Sequence, residues 1–183
     1  MSLEAVPFSI MRYTRQAFPL YRYRPGENPH PTEHVQGHSY EKAEKPILNS
    51  SPENWVANEA YLFGVDLYNH FYWWEAHEAW EGIWKTVPRR SLMSHHLQGL
   101  IKISAAFLKW HEHNRAGVET LYAGGIEHLA QVLESETSFM GLNLMDHIAK
   151  LSNHFRVVVA DDQQWPEALT DFPFIILQKP FLC

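Results

Sequence analysis

The chain has 183 residues, of which 45% are hydrophobic and 20% are charged, enough apolar side chains for one folded domain. This composition excludes a wholly disordered chain. No apolar run reaches the roughly 18–20 residues of a membrane-spanning helix. The single cysteine, Cys183, excludes a disulfide framework. The net charge of −6 argues against nucleic acid, whose protein partners usually carry a basic face. Because no apolar signal segment opens the chain, we expect a cytoplasmic protein.

Residues 1–50 are predicted to form an extended arm. Six of the eleven prolines of the chain fall here, and each fixes φ and removes a backbone donor. The same stretch carries six aromatic residues and four arginines. Because this much aromatic surface does not suit a free tail, we expect the arm to pack on the body of the protein.

Residues 51–160 are predicted to form the helical body. Ser51 is suited to cap a first helix that begins at Pro52, and beyond it the only proline before residue 161 is Pro88. Short loops between consecutive helices favour antiparallel packing of neighbouring helices. Residues 161–183 are predicted to form an extended tail. The sequence thus predicts an all-α fold, a compact antiparallel bundle of about five helices. The predicted helices cover residues 52–69, 71–86, 92–113, 116–134 and 144–160.

The second predicted helix carries the densest candidate site. On a helical wheel, His77 and Glu81 fall inside an arc of tryptophans and are neighbours four residues apart, whereas Glu78 lies at the rim and Glu75 is predicted to face water. A carboxylate among tryptophans is costly unless it is paired or hydrogen-bonded. We therefore expect His77 and Glu81 to be mostly buried and bonded, either as structural groups or as metal ligands or an acid–base couple in a small cavity.

Histidines elsewhere could complete a metal site with this helix. His30 and His38 lie in a Pro-His-Pro and a Gly-His-Ser sequence of the arm, and a loop that brings both over His77 would make a three-nitrogen site. The plain alternative is that each histidine caps a turn or packs on the arm. The candidate ligands of a divalent metal ion are thus His77, Glu81, His30 and His38, with His96 of the third helix as second choice.

Two motifs of the chain resemble a known family. The sequence EAHEAWEGIW at residues 75–84, followed by LQGLI at residues 97–101, is similar to the signature of the bacterial and archaeal domain of unknown function number 309, over about residues 58–133. The chain departs from that signature at His70 and Lys102. The resemblance implies a compact helical bundle without an established activity, and the arm looks like an extension seen on some members.

Two functions from different classes compete. The first is a binding or structural module, with a small molecule or a second copy of the chain as candidate partner. The second is a metal-dependent hydrolase with the arm as a cover over its site. Nucleic-acid binding through the arginines and tyrosines of the arm is the weakest hypothesis, because the body is acidic. No catalytic residue is assigned, and the candidate polar site consists of His77, Glu78, Glu81 and Gln98.

Overall fold

The computed structural model describes residues 10–42, 51–159 and 172–178, and within them it confirms the predicted all-α fold. No helix in this part of the chain is both long and apolar enough to cross a membrane. Two short strands form a single antiparallel hairpin between the last two helices. The elements in chain order are a 3₁₀ helix at Pro52–Ala57, α1 at Glu59–Asn69, α2 at Trp73–Trp84, α3 at Leu92–His111, α4 at Arg115–Leu133, β1 at Ser138–Phe139, β2 at Leu142–Asn143 and α5 at Leu144–Val159.

The first predicted helix is divided in two. Asn58 leaves the helical region, with φ −83° and ψ 87°, and its side-chain oxygen accepts a hydrogen bond from the backbone N–H of Tyr61 at 3.0 Å. Asparagine competes with the helical backbone for hydrogen bonds and is a preferred N-cap residue. Asn58 therefore caps α1, while Ser51, the predicted cap, makes no capping hydrogen bond.

Helices α3 and α4 approach each other closely through glycines. A Cβ atom on Gly125 would lie 2.8 Å from Cδ1 of Ile103, and one on Gly99 would lie 2.6 Å from the Leu129 side chain. Any larger residue at these points would require the side chains of Ile103 and Leu129 to shift. The glycines thus allow α3 and α4 to pack closely.

The hairpin between α4 and α5 connects the bundle to the tail. Met140 and Gly141, its two central residues, both have positive φ, at 47° and 80°, which suits a two-residue turn between antiparallel strands. Leu142 of β2 forms an antiparallel bridge with Leu177, and Gly141 accepts a hydrogen bond from the backbone N–H of Gln178 at 2.8 Å. Residues 172–178 are therefore extended along the bundle.

Residues 10–42 of the arm contain no helix or strand. Phe18 packs on Phe63 of α1 and stacks on Tyr72, with ring centroids 6.2 and 5.0 Å apart. The hydroxyl of Tyr13 accepts a hydrogen bond from the backbone N–H of Leu177 at 2.8 Å, which joins the arm to the tail. The described part of the arm thus lies on α1 and α2.

Candidate functional site

A buried carboxylate of α1 holds the start of the described arm. Asp66 is fully buried and accepts hydrogen bonds from the backbone N–H groups of Tyr13 and Thr14, at 2.7 and 2.9 Å, and from the Thr14 hydroxyl at 2.7 Å. The Nε atom of Arg12 lies 3.6 Å from the same carboxylate. Our sequence interpretation missed this contact, although a single acidic residue in the apolar run YLFGVDLYN is a signal that could have revealed it.

Glu75 is the second anchor of the arm, and the prediction that it faces water is wrong. Its side chain is only 4% exposed, and Oε1 accepts from the backbone N–H of Tyr23 at 2.9 Å and lies 3.0 Å from Nε2 of His38. Burial raises the pKa of Glu75, against the opposing effect of its hydrogen bond with His38. Glu75 is buried because the arm covers the side of α2 that the helical wheel assigns to solvent.

The arm histidines surround Trp74. The ring centroids of His30, His38 and Tyr23 lie 5.5, 6.4 and 5.7 Å from that of Trp74, all edge-on. Both ring nitrogens of His38 are engaged, because Nδ1 lies 2.9 Å from the Ser39 hydroxyl while Nε2 bonds Glu75. The segment of the arm that carries His30 and His38 therefore lies on α2 at Trp74 and Glu75, within the turn that precedes His77.

The predicted polar residues of α2 form a partly exposed row, which we call the α2 stripe: His77, Glu78 and Glu81. Their side chains are 27, 36 and 29% exposed, so His77 and Glu81 are mostly buried, as expected, but each keeps some contact with solvent. Nδ1 of His77 lies 3.2 Å from Oε1 of Glu78 but is not hydrogen-bonded, and Oε2 of Glu81 lies 3.1 Å from Nζ of Lys85. The buried face of α2 is centred on Ala76, Trp80 and Ile83.

The register of α2 and α3 sets Gln98 level with the α2 stripe along the helix axes. The indole N–H of Trp84, at the end of α2, donates to the Ser94 hydroxyl near the start of α3 at 3.0 Å. Trp73, at the start of α2, stacks on Phe107 in the C-terminal half of α3. The two helices are therefore antiparallel. Gln98, one turn after Ser94, comes level with Glu81, about one turn before Trp84, and it is partly exposed.

His96 lies apart from this stripe, inside the core. It is fully buried, its Nε2 is 3.2 Å from the Tyr61 hydroxyl, and burial lowers its pKa to about 3. His147 of α5, also buried and electrostatically coupled to His96, has a pKa lowered by burial to about 4. Both imidazoles are therefore neutral near pH 7.

The described residues contain no group of three or more His, Cys, Asp or Glu side chains placed to hold a metal ion. Of the predicted ligands, His77 and Glu81 share the α2 stripe. The others lie elsewhere, because His30 and His38 pack on Trp74 and His96 is in the core. A three-nitrogen site is thus not assembled in this part of the chain.

The family resemblance seen in the sequence is confirmed. The family model described as domain of unknown function, DUF309, matches residues 61–121, from α1 into α4. The matched range includes the whole α2 stripe and Gln98, and the arm lies outside it. No protein with a curated description matches the chain. The chain is therefore similar to the DUF309 family over residues 61–121.

Proposed function

We propose that the chain is a binding module that takes a cationic ligand on the α2 stripe, with Gln98 level with it. The observation that carries this proposal is the partly exposed row of one imidazole and two carboxylates on one face of α2. The other faces of this helix are covered by the core and by the arm. The stripe is thus the polar part of α2 that a ligand can reach.

The charges of the stripe favour a cation. The carboxylates of Glu78 and Glu81 contribute two negative charges, and Lys85 contributes one positive charge. The Lys85 side chain is 52% exposed, and exposed ion pairs contribute at most about 1 kcal/mol. A bound cation can therefore replace Lys85 at little cost.

The backbone under the stripe is held firmly. Trp80 and Ile83 of α2 are fully buried, and the Trp80 indole N–H donates to the backbone carbonyl of Tyr61 at 3.2 Å. Binding groups on packed helices keep their positions better than groups on loops. This rigidity supports a preformed site.

The geometry favours binding over metal-dependent hydrolysis at the same residues. A metal-dependent hydrolase needs a metal with several protein ligands and one open position. The arm histidines that were expected to complete such a set instead bond Glu75 and pack on Trp74. Their role is to hold the arm on α2.

Calorimetric titration of protein without a histidine tag with Mn²⁺ tests this proposal, because Mn²⁺ prefers carboxylate and other oxygen ligands. We expect Glu81→Gln and Glu78→Gln each to weaken Mn²⁺ binding by roughly tenfold, since each removes one charged ligand. The matched control is Glu119→Gln on α4, which makes the same charge change on a helix that packs against α3 and α5. Equal Mn²⁺ affinity in Glu81→Gln and the parent would refute the proposal.

A further inference from the structure

Two histidines outside the α2 stripe meet between α3 and α4. Nδ1 of His95 lies 2.9 Å from Nδ1 of His128, and the ring centroids are 5.2 Å apart. Both residues are partly exposed. A hydrogen bond between two imidazole nitrogens needs one N–H and one free lone pair, so the contact requires at least one neutral ring. The pair therefore offers a nitrogen lone pair close to solvent.

The two histidines lie near the close contact between α3 and α4. His95 lies one turn before Gly99, and His128 lies one turn after Gly125, two glycines at which α3 and α4 pack closely. A Cβ on Gly99 would lie 3.2 Å from the backbone oxygen of Gly125. The two imidazoles are thus carried on closely packed backbones.

We propose that His95 and His128 form a two-nitrogen site for a transition-metal ion of the Zn²⁺ or Cu²⁺ class, with solvent completing the coordination. Two imidazoles on tetrahedral zinc, with Zn–N bonds of about 2.0–2.1 Å, have nitrogens about 3.3 Å apart and ring centroids about 5.2 Å apart. The observed centroid separation of 5.2 Å already matches. Binding therefore requires the rings to tilt while the helices stay in place.

Nearby charges modulate this site. Burial lowers the pKa of His128, Lys102 and His95 lower it further, and Glu127 opposes them. The neutral imidazole, which is the form that binds metal, is thereby favoured at neutral pH. Lys102 also repels a bound cation, and its side chain extends towards Gly124 of α4. Removing its charge is expected to strengthen metal binding.

The test is a titration of protein without a histidine tag with Zn²⁺ and with Cu²⁺, which imidazole ligands favour. We expect His95→Gln and His128→Gln each to weaken the tightest site at least tenfold, and Lys102→Gln to strengthen it several-fold. His34→Gln is the matched control, because His34 is an exposed histidine of the arm. It should leave this site unchanged.

NMR of the imidazole nitrogens identifies the ligand atoms. We expect Zn²⁺ to shift the Nδ1 resonances of both His95 and His128. Unchanged Zn²⁺ and Cu²⁺ affinity in His95→Gln and His128→Gln would overturn the proposal, and so would Zn²⁺ shifts confined to Nε2 atoms. This inference is independent of the α2 stripe, because its test uses different residues and different metal ions.

Discussion

Asp66 and Glu75 are buried carboxylates whose hydrogen bonds come from the arm. Tyr13 and Thr14 donate to Asp66, and the backbone N–H of Tyr23 and the His38 side chain contact Glu75. A buried carboxylate that loses its partner carries the full cost of its desolvation. Docking of the arm therefore stabilises the body through these two side chains.

The His38–Glu75 contact gives a prediction for stability. His38→Ala removes a partner from a carboxylate that is almost fully buried, so we expect it to lower the free energy of unfolding by about 1–3 kcal/mol, as measured in urea. His34→Ala, an exposed histidine four residues earlier, is expected to change it by less than about 0.5 kcal/mol. Equal losses in the two variants would contradict the anchoring role of His38.

The buried histidines predict how stability depends on pH. His96 and His147 have folded-state pKa values of about 3 and about 4, below the ordinary 6.5, so the unfolded chain binds protons first as the pH falls. Their full contribution to stability is present above pH 6.5. It declines towards pH 4, by about 1.4 kcal/mol per pH unit for each histidine.

Replacement of one of these histidines tests the pH dependence. In His147→Phe the free energy of unfolding is expected to fall less steeply between pH 6 and pH 5 than in the parent, by about 1.4 kcal/mol per unit. The measurement is urea unfolding at several pH values. The same slope in parent and variant would show that His147 takes up no additional proton on unfolding.

At the scale of elements, the helices were largely predictable and their covered faces were not. Hydrophobic periodicity and the position of Pro88 placed α2 to α5 within about two residues of their observed ends. The burial of Glu75 depends on Tyr23 and His38, which are distant in sequence, so the pattern of α2 alone could not reveal it. A helical wheel orders side chains around an axis but does not show which neighbours cover them.

The break before α1 gives a prediction at this scale. Asn58→Ala removes the side-chain oxygen that accepts from the Tyr61 N–H, so we expect it to destabilise the protein by about 1 kcal/mol. Ser51→Ala, at the cap position predicted from sequence, should be nearly neutral because Ser51 makes no capping hydrogen bond. Thermal unfolding of both variants distinguishes the two caps. A larger loss in Ser51→Ala would contradict the observed start of α1.

At the scale of the whole molecule, the described arm and tail segments join the helices into one packed unit. Phe107 of α3 packs against Trp73 of α2, Phe155 of α5 and Phe172 of the tail, with ring centroids 4.9–5.0 Å apart. The Tyr13–Leu177 hydrogen bond then links the arm to the tail. These contacts cover the aromatic residues of the bundle and leave the α2 stripe partly exposed.

The most direct test of cation binding at the α2 stripe is the broadening of backbone NMR signals by Mn²⁺, whose unpaired electrons relax nearby nuclei. We predict that the amide signals of residues 77–82 and of Gln98 broaden first, and that Glu81→Gln suppresses this pattern while Glu119→Gln preserves it. Broadening that begins at acidic residues on other helices, or that is unchanged in Glu81→Gln, would contradict the proposed site.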